Sequence, residues 1–327
     1  MRAVTAARPG GPEVLRVVDV PEPEPAPGQV VVRVAAAGVN FIDTYRRSGT
    51  YRMPFPHVVG SEGAGRVVAV GAGVTSAAVG DRVAWASAPG SCAELVAVAA
   101  DDLIAVPDAV DDRTAAALPL QGLTAHYLAT STFPLAPGHD VLLHAAAGGV
   151  GLLLTQLAAA RGARVVATVG SAAKEELARA AGAADVVRYR ELDDLGTQLP
   201  ERVRALTGGR GVDVVYDGVG RDTFDASLAS LARRGTLVLF GASSGPVPPV
   251  DLQRLNTGGS LFVTRPTLAD HTATCAELDQ RARELLDAVV SGALHVRVGA
   301  TYPLADAAEA HRALESRSTT GKVLLLP

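Results

Sequence analysis

Residues 139–151, HDVLLHAAAGGVG, constrain the fold more than any other stretch. Positions 141–144 have the length and apolar character of a buried strand. Ala145, Ala146 and Ala147 keep the side chains small, and Gly148, Gly149 and Gly151 open an apolar helix through 152–160. A strand, a glycine turn and a helix in this order let backbone approach a pyrophosphate and aim free N–H groups at it. Charge at a helix end contributes only about 0.3–1 kcal/mol. A dinucleotide therefore needs further groups to hold it.

The pattern around this stretch alternates. Strands are predicted at 141–144, 164–168, 185–188, 212–216, 236–240 and 260–263. Helices are predicted at 149–161, at 172–181, ending near Thr207, and at 223–231. This rhythm means a doubly wound parallel sheet with helices on both faces, whose sites lie at the carboxyl ends of the strands. The turns GSAAK, DGVG, FGASSG and TRP fall at such ends. Residues 1–110 differ. Short Val-rich runs at 2–6, 14–20, 30–36, 65–70, 82–86 and 92–98, parted by Gly/Pro turns, predict a compact antiparallel barrel. A helical segment, 41–48, and a polar, aromatic loop, SGTYRMPFPHVVGSEGAG, interrupt it. A helix is expected over 111–129 with a break at Pro119. One long amphipathic helix is expected from about Asp270 to Ser291, then an extended segment 297–302, a helix 306–315 and a strand 323–326. Pattern alone does not place this tail.

A chain of 327 residues, nearly half apolar, should make two domains with real cores. A net charge of −4 with no basic block argues against nucleic acid as a partner. Residues 141–160 are mostly apolar but hold His144, Thr155, Gln156 and three glycines, so they divide into strand plus helix and not a membrane span. The first residues, MRAVTAARPGG, carry no apolar signal core, and a cytoplasmic protein is expected. Cys92 and Cys275 cannot make a thiolate zinc site and are expected to be reduced, buried thiols.

The end of the second predicted strand narrows the ligand. An NAD site would place a carboxylate there for the ribose 2′-hydroxyl. Here stand Thr168, Val169, Gly170 and Ser171, with Lys174 just after and Tyr189 beyond the third strand. A hydroxyl and an ammonium suit a 2′-phosphate, so NADP is favoured. Glu62 in GSEGAG invites a metal, but only His57 is near and no His/Cys pairing supports three ligands, so a structural role is expected. Asn40, Asp43, Tyr45 and Tyr51 cluster within twelve residues. They read either as one wall of a site or as helix caps and packing aromatics. No GxSxG elbow supports serine hydrolysis.

The segments GVNFIDTYRRSGTY, GSEGAGRV, VGDRV, LPLQGLTAHYL, HAAAGGVG, TVGSAAK, VVYDGVGRDTF, FGASSG, VTRPTL and LESRSTTGK occur in order along the whole chain. Together they resemble the zinc-independent quinone oxidoreductases of the medium-chain dehydrogenase/reductase superfamily, the zeta-crystallin group. The resemblance implies a GroES-like β-barrel catalytic domain, 1–122 and 267–327, and a Rossmann NADPH-binding domain, 123–266. It implies hydride or one-electron transfer from NADPH to a quinone or conjugated carbonyl, without metal, by a homodimer or a tetramer of dimers. By resemblance Asn40–Asp43 border the nicotinamide, with Tyr45 and Tyr51 nearby. Gly148, Gly149, Val150 and Gly151 form the phosphate loop, Ser171, Lys174, Tyr189 and Arg317 the 2′-phosphate set, and Gly170 is a further cofactor-binding position. Tyr127, Val219, Gly241, Ser243, Ser244, Thr264 and Arg265 match cofactor-lining positions. Gly218 stands where close relatives often have Ser, and Gln121 where some have Lys. Other relatives reduce enoyl thioesters or alkenals with a tyrosine, here Tyr51, as proton donor. Still others are lens structural proteins or bind RNA.

Overall fold

A computed structural model describes residues 1–327, which fall into two compact units, Met1–Leu123 with Thr272–Pro327, and Thr124–His271. The first unit holds strands β1 (Arg2–Ala6), β2 (Leu15–Asp19), β3 (Gln29–Val39), β4 (His57–Val58), β5 (Glu62–Val70), β6 (Arg82–Trp85), β7 (Leu95–Ala99) and β8 (Ile104–Ala105). Helix α1 (Phe41–Ser48) follows β3 directly, and α2 (Asp112–Ala117) follows β8. The chain leaves this unit within α3 (Pro119–Tyr127).

The second unit alternates as its sequence predicts. Strands β9 (Asp140–Leu143), β10 (Arg164–Val169), β11 (Asp185–Arg188), β12 (Val212–Asp217), β13 (Leu231–Leu239) and β14 (Phe262–Thr264) form one parallel sheet in the order β11-β10-β9-β12-β13-β14. Between them lie α4 (Gly149–Ala160), α5 (Ala172–Ala180), α6 (Leu195–Leu206), α7 (Phe224–Ser230) and α8 (Gln253–Thr257). The order reverses between β9 and β12, the crevice position where such sheets bind ligands. Leu142, Val166, Val215 and Leu237 are fully buried and tie the central strands to α6 and α7. Burying such a side chain contributes roughly 1.5–3 kcal/mol.

The tail corrects one expectation. The single helix predicted from Asp270 to Ser291 is two, α9 (Leu268–His271) and α10 (Cys275–Val290). Thr274 begins α10 with a capping box closed by Glu277, which stops the helix from running back through 272–274. This break also overturns the expectation that both cysteines are buried. Cys92 is, but Cys275 lies in the first turn of α10 and is exposed. The tail ends in β15 (Val298–Pro303), α11 (Ala307–Glu315) and β16 (Lys322–Leu326). Strand β16 pairs parallel with β15 and antiparallel with β3, so the tail completes a seven-stranded sheet with β3, β5, β6, β7 and β8. A second sheet, β2-β1-β4, completes the barrel core around Val4, Val32 and Trp85. No helix is long and apolar enough to cross a membrane.

Candidate active site

Two polar clusters gather most of the residues singled out above. The first lies along the carboxyl ends of the parallel strands. After β9, Ala145 turns in the left-handed region (φ 54°) and α4 begins at Gly149 with Gly148 as its extended N-cap. No side chain caps α4 and no acid stands in its first turn, whereas Ser171 caps α5 and Asp194 caps α6. The N–H groups of 149–151 are thus left for an anion. Gly151 is required for the turn, because a Cβ there would sit 2.4 Å from Ala145 O.

One strand over, Gly170 leaves room for Tyr189, since a Cβ on it would lie 2.9 Å from Tyr189 Oη and 3.4 Å from Arg190 Nε. Burial, and then the Arg190 guanidinium, push the Lys174 ammonium below its ordinary range. The neighbouring acids are engaged elsewhere, Glu175 with Arg179 and Arg188, and Glu191 with Arg188. Arg190 pairs with no carboxylate. Sequence reading had missed it, although it directly follows Tyr189.

Beyond the switch point, Asp217 Oδ1 accepts from Val219 N (2.8 Å) and Gly220 N (3.0 Å), which shapes the turn after β12. Ser244 Oγ donates to Val219 O (2.8 Å), and Arg265 Nη1 donates to Gly241 O (3.4 Å). Ser243 N–H donates to Gly218 O (3.2 Å), and Thr264 ends β14. These predicted cofactor positions therefore share one rim. Tyr127 is buried and stacks on His271 with centroids 4.3 Å apart, and burial raises its phenol pKa. Beneath the rim runs a buried chain of hydrogen bonds. Ser227 Oγ donates to Asp217 Oδ2 (2.8 Å), so it accepts from His144 Nε2 (3.0 Å), and His144 Nδ1 accepts from Thr168 Oγ1 (3.0 Å). Burial keeps this histidine neutral.

The second cluster lies in the barrel unit where β3, β5 and β16 meet. The register sets Gly38 opposite Glu62 and Val39 opposite Val323, so Asn40 and Lys322 come side by side. Asn40 Nδ2 donates to Glu62 Oε2 (2.7 Å), and Lys322 Nζ donates to Asn40 Oδ1 (2.9 Å). Lys322 also forms an ion pair with Glu62 Oε2, and Leu120 N–H donates to Glu62 Oε1 (2.7 Å). Gln121 Nε2 donates to Asn40 Oδ1 (3.3 Å). Glu62 and Lys322 are fully buried.

Asp43 stands beside this set, but its carboxylate is already engaged. Oδ2 accepts from Asn40 N (2.9 Å) at the start of α1, and Oδ1 accepts from Ser61 Oγ (2.8 Å), which itself accepts from Arg46 Nη1 (2.6 Å). Burial pushes this carboxyl up, against those hydrogen bonds. Tyr45 meets the exposed Tyr51 with centroids 5.3 Å apart. Arg317 follows α11 in the left-handed region (φ 57°). Lys322 was the group sequence reading passed over, because one lysine at the start of a Val/Leu run reads as a strand edge.

Comparison with known proteins fits this geometry. Residues 26–108 match the alcohol dehydrogenase GroES-like domain, and 149–288 match the zinc-binding dehydrogenase domain. Quinone oxidoreductase 1 of Escherichia coli is 47% identical over 97% of this chain and 97% of its own. The chain belongs to the quinone oxidoreductase family. Within that family, the structure of the Escherichia coli quinone oxidoreductase complexed with NADPH superposes with a TM-score of 0.97 at 45% identity, covering 100% of both chains. A mycobacterial protein complexed with NADPH gives 0.97 at 54%, again over 100% of both. The 2-haloacrylate reductase of a Burkholderia species is 41% identical over 97% of this chain and 96% of its own.

The domain name raises zinc, and the residues here do not fit it. Glu62 is saturated by an ammonium, an amide and a backbone N–H, Ser61 precedes it, and no three His, Cys, Asp or Glu side chains converge. A dinucleotide phosphate does fit the uncapped α4 and the cations beside Gly170.

Proposed function

We propose that this protein is an NADPH-dependent quinone reductase. The observation that carries the reading is the carboxyl edge of the parallel sheet, where α4 is uncapped and Lys174 and Arg190 stand together with no carboxylate at the ribose position. Gly148, Gly149, Val150 and Gly151 would take the pyrophosphate, and Ser171, Lys174, Tyr189 and Arg317 the 2′-phosphate. Val219, Gly241, Ser243, Ser244, Thr264, Arg265 and Tyr127 would line the rest, with Asn40 and Tyr45 beside the nicotinamide. Bound NADPH supplies the hydride, or a single electron, for a quinone or conjugated carbonyl. The chain's own contribution is to hold, orient and exclude water, and positioning of this kind can lower a barrier by up to about 7–11 kcal/mol. Asp43 is held at the start of α1 by Asn40 N and Ser61 Oγ, which favours a positioning role over proton donation.

The test is NADPH and NADH oxidation against a panel of quinones, enals and enoyl thioesters. Quinone-dependent turnover that prefers NADPH supports the reading, and NADH preference or no turnover overturns it. A second reading, reduction of an activated double bond, is favoured by the 2-haloacrylate reductase relative and by the exposed phenol of Tyr51. Tyr51→Phe separates the two. A large rate loss with enones and little with quinones supports proton donation, and no loss with either ends that role.

We further infer a homodimer in the cytoplasm. Strand β14 pairs on one side only and exposes Phe262 (60%) and Val263 (40%), which suits a second copy. Sedimentation of the wild type and of Phe262→Glu checks it, with a monomeric variant expected.

A further inference from the structure

The barrel cluster fixes the hydrogen-bonding sense of one carboxamide. Asn40 has four valences on its side chain, two acceptor lone pairs and two N–H donors. Lys322 has donors only, and it faces Oδ1 at 2.9 Å. Glu62 is an acceptor only, and it faces Nδ2 at 2.7 Å. Turning the amide over would set an ammonium against an NH2 and a carboxylate against an oxygen, so the pair permits a single orientation. Gln121 fills the second lone pair of Oδ1 at 3.3 Å. Every valence of this buried side chain is then filled within the protein except one N–H of Nδ2.

Space enforces the arrangement. A Cβ on Gly38 would fall 2.5 Å from Lys322 Cε and 2.7 Å from its Nζ, so the strand opposite is bare where the lysine passes. The ion pair itself lies in a fully buried place, where replacing both charges by apolar groups is often neutral or stabilising. Stability alone is a weak reason for such a pair.

We propose that Lys322 is a positioning residue, which together with Glu62 orients the Asn40 carboxamide as a hydrogen-bond donor to a ligand carbonyl oxygen. This rests on the reading above that Asn40 borders the reacting groups. The carbonyl is either that of the electron acceptor, which gains negative charge as hydride adds, or that of the nicotinamide carboxamide. A preorganised donor to a developing oxyanion is worth on the order of 10²–10³ in kcat. The ammonium acts through Asn40 and never touches the ligand.

The test is a double-mutant cycle on kcat and on NADPH affinity with Asn40→Ala, Lys322→Met and the double variant. Asn40→Ala is expected to lower turnover about 100-fold, or NADPH affinity by a comparable factor, and Lys322→Met about tenfold or more. The double variant should fall within about threefold of Asn40→Ala, because the lysine has nothing left to orient. A loss confined to kcat assigns the acceptor carbonyl, and a loss in NADPH affinity assigns the carboxamide. Multiplying losses, or wild-type behaviour in Asn40→Ala, overturn the proposal while the quinone reductase reading stands. A wild type that shows no quinone-dependent NADPH oxidation overturns both. Should Lys322→Met not fold, the cycle pairs Asn40→Ala with the combined Glu62→Gln/Lys322→Met change, which leaves no buried charge unpaired, and the same non-additivity is expected.

Discussion

Of the 30 Lys and Arg side chains only two are lysine, Lys174 and Lys322, and they sit in opposite circumstances. Lys322 is sealed in the barrel unit, its ammonium held by Glu62 and Asn40. Lys174 stands half-buried at the sheet edge beside the Arg190 guanidinium, in the unit whose α4 starts uncapped. One region closes its charges on itself and the other concentrates positive charge outward. An ammonium suits both places, since it is a compact point charge where a guanidinium is a wide planar fork.

The comparison can be broken most forcefully at Lys322. Lys322→Met leaves the Glu62 carboxylate buried and unpaired, which should cost about 3–5 kcal/mol, and Glu62→Gln with it should recover most of that. Urea unfolding reads both, and a single-variant cost below about 1 kcal/mol would mean the cluster is not closed. At Lys174, Ala should leave the fold intact and instead weaken NADPH by roughly tenfold to a hundredfold with NADH unchanged, the worth of one charge-assisted hydrogen bond. An unchanged coenzyme preference would remove the outward-facing role.

A pH series sharpens the barrel side further. His311 is buried, its Nδ1 3.0 Å from Arg47 Nη1, and Arg47 in turn pairs with Glu315. Burial, then the Arg47 charge, hold this imidazole down at about 3. Below its ordinary value near 6.5 the unfolded chain takes up a proton that the folded chain refuses. The stability it contributes is therefore complete above about pH 6.5 and is lost as the pH falls toward 3, by about 1.4 kcal/mol per unit. Unfolding free energy should drop roughly 2 kcal/mol from pH 6.5 to 5, and His311→Gln should flatten that slope. The smallest effect belongs to the neutral chain under the sheet. His144→Leu strands Thr168 and Ser227 without moving a charge, a loss of about 1 kcal/mol, visible as a small shift in melting temperature.

The parallel sheet was readable because β10, β12 and β13 run into Gly170, Gly218 and Gly241, and α4, α5 and α6 start at Gly148, Ser171 and Asp194. The phosphate loop at 148–151 and the carboxylate-free end of β10 were readable for the same reason. The barrel was harder. Strand β3 runs past Ala36 to Val39 through Ala-Ala-Gly-Val, which carries no alternation to read. Thr274 and Glu277 did carry a capping-box signal, yet the amphipathic stripe of the following helix masked the break. Lys322 was invisible for a physical reason, since its meaning lies in the register of β16 against β3, and local pattern does not encode register between distant strands. Arg190 was hidden by its pairable neighbours Arg188 and Glu191.

The sequence distance from Asn40 to Lys322, 282 residues, has a consequence for the nascent chain. Strands β3 and β5 leave the ribosome early, while β16 follows only after the whole parallel sheet has been translated. At synthesis rates of about 5–20 residues per second, Glu62, 260 residues before Lys322, waits roughly 13–52 s for its counter-charge. Late in that interval, once Thr264 has been added, the sheet unit has every strand it needs while the barrel still lacks β15 and β16. Assembly should therefore run from the middle of the gene outward, with the carboxamide donor set last.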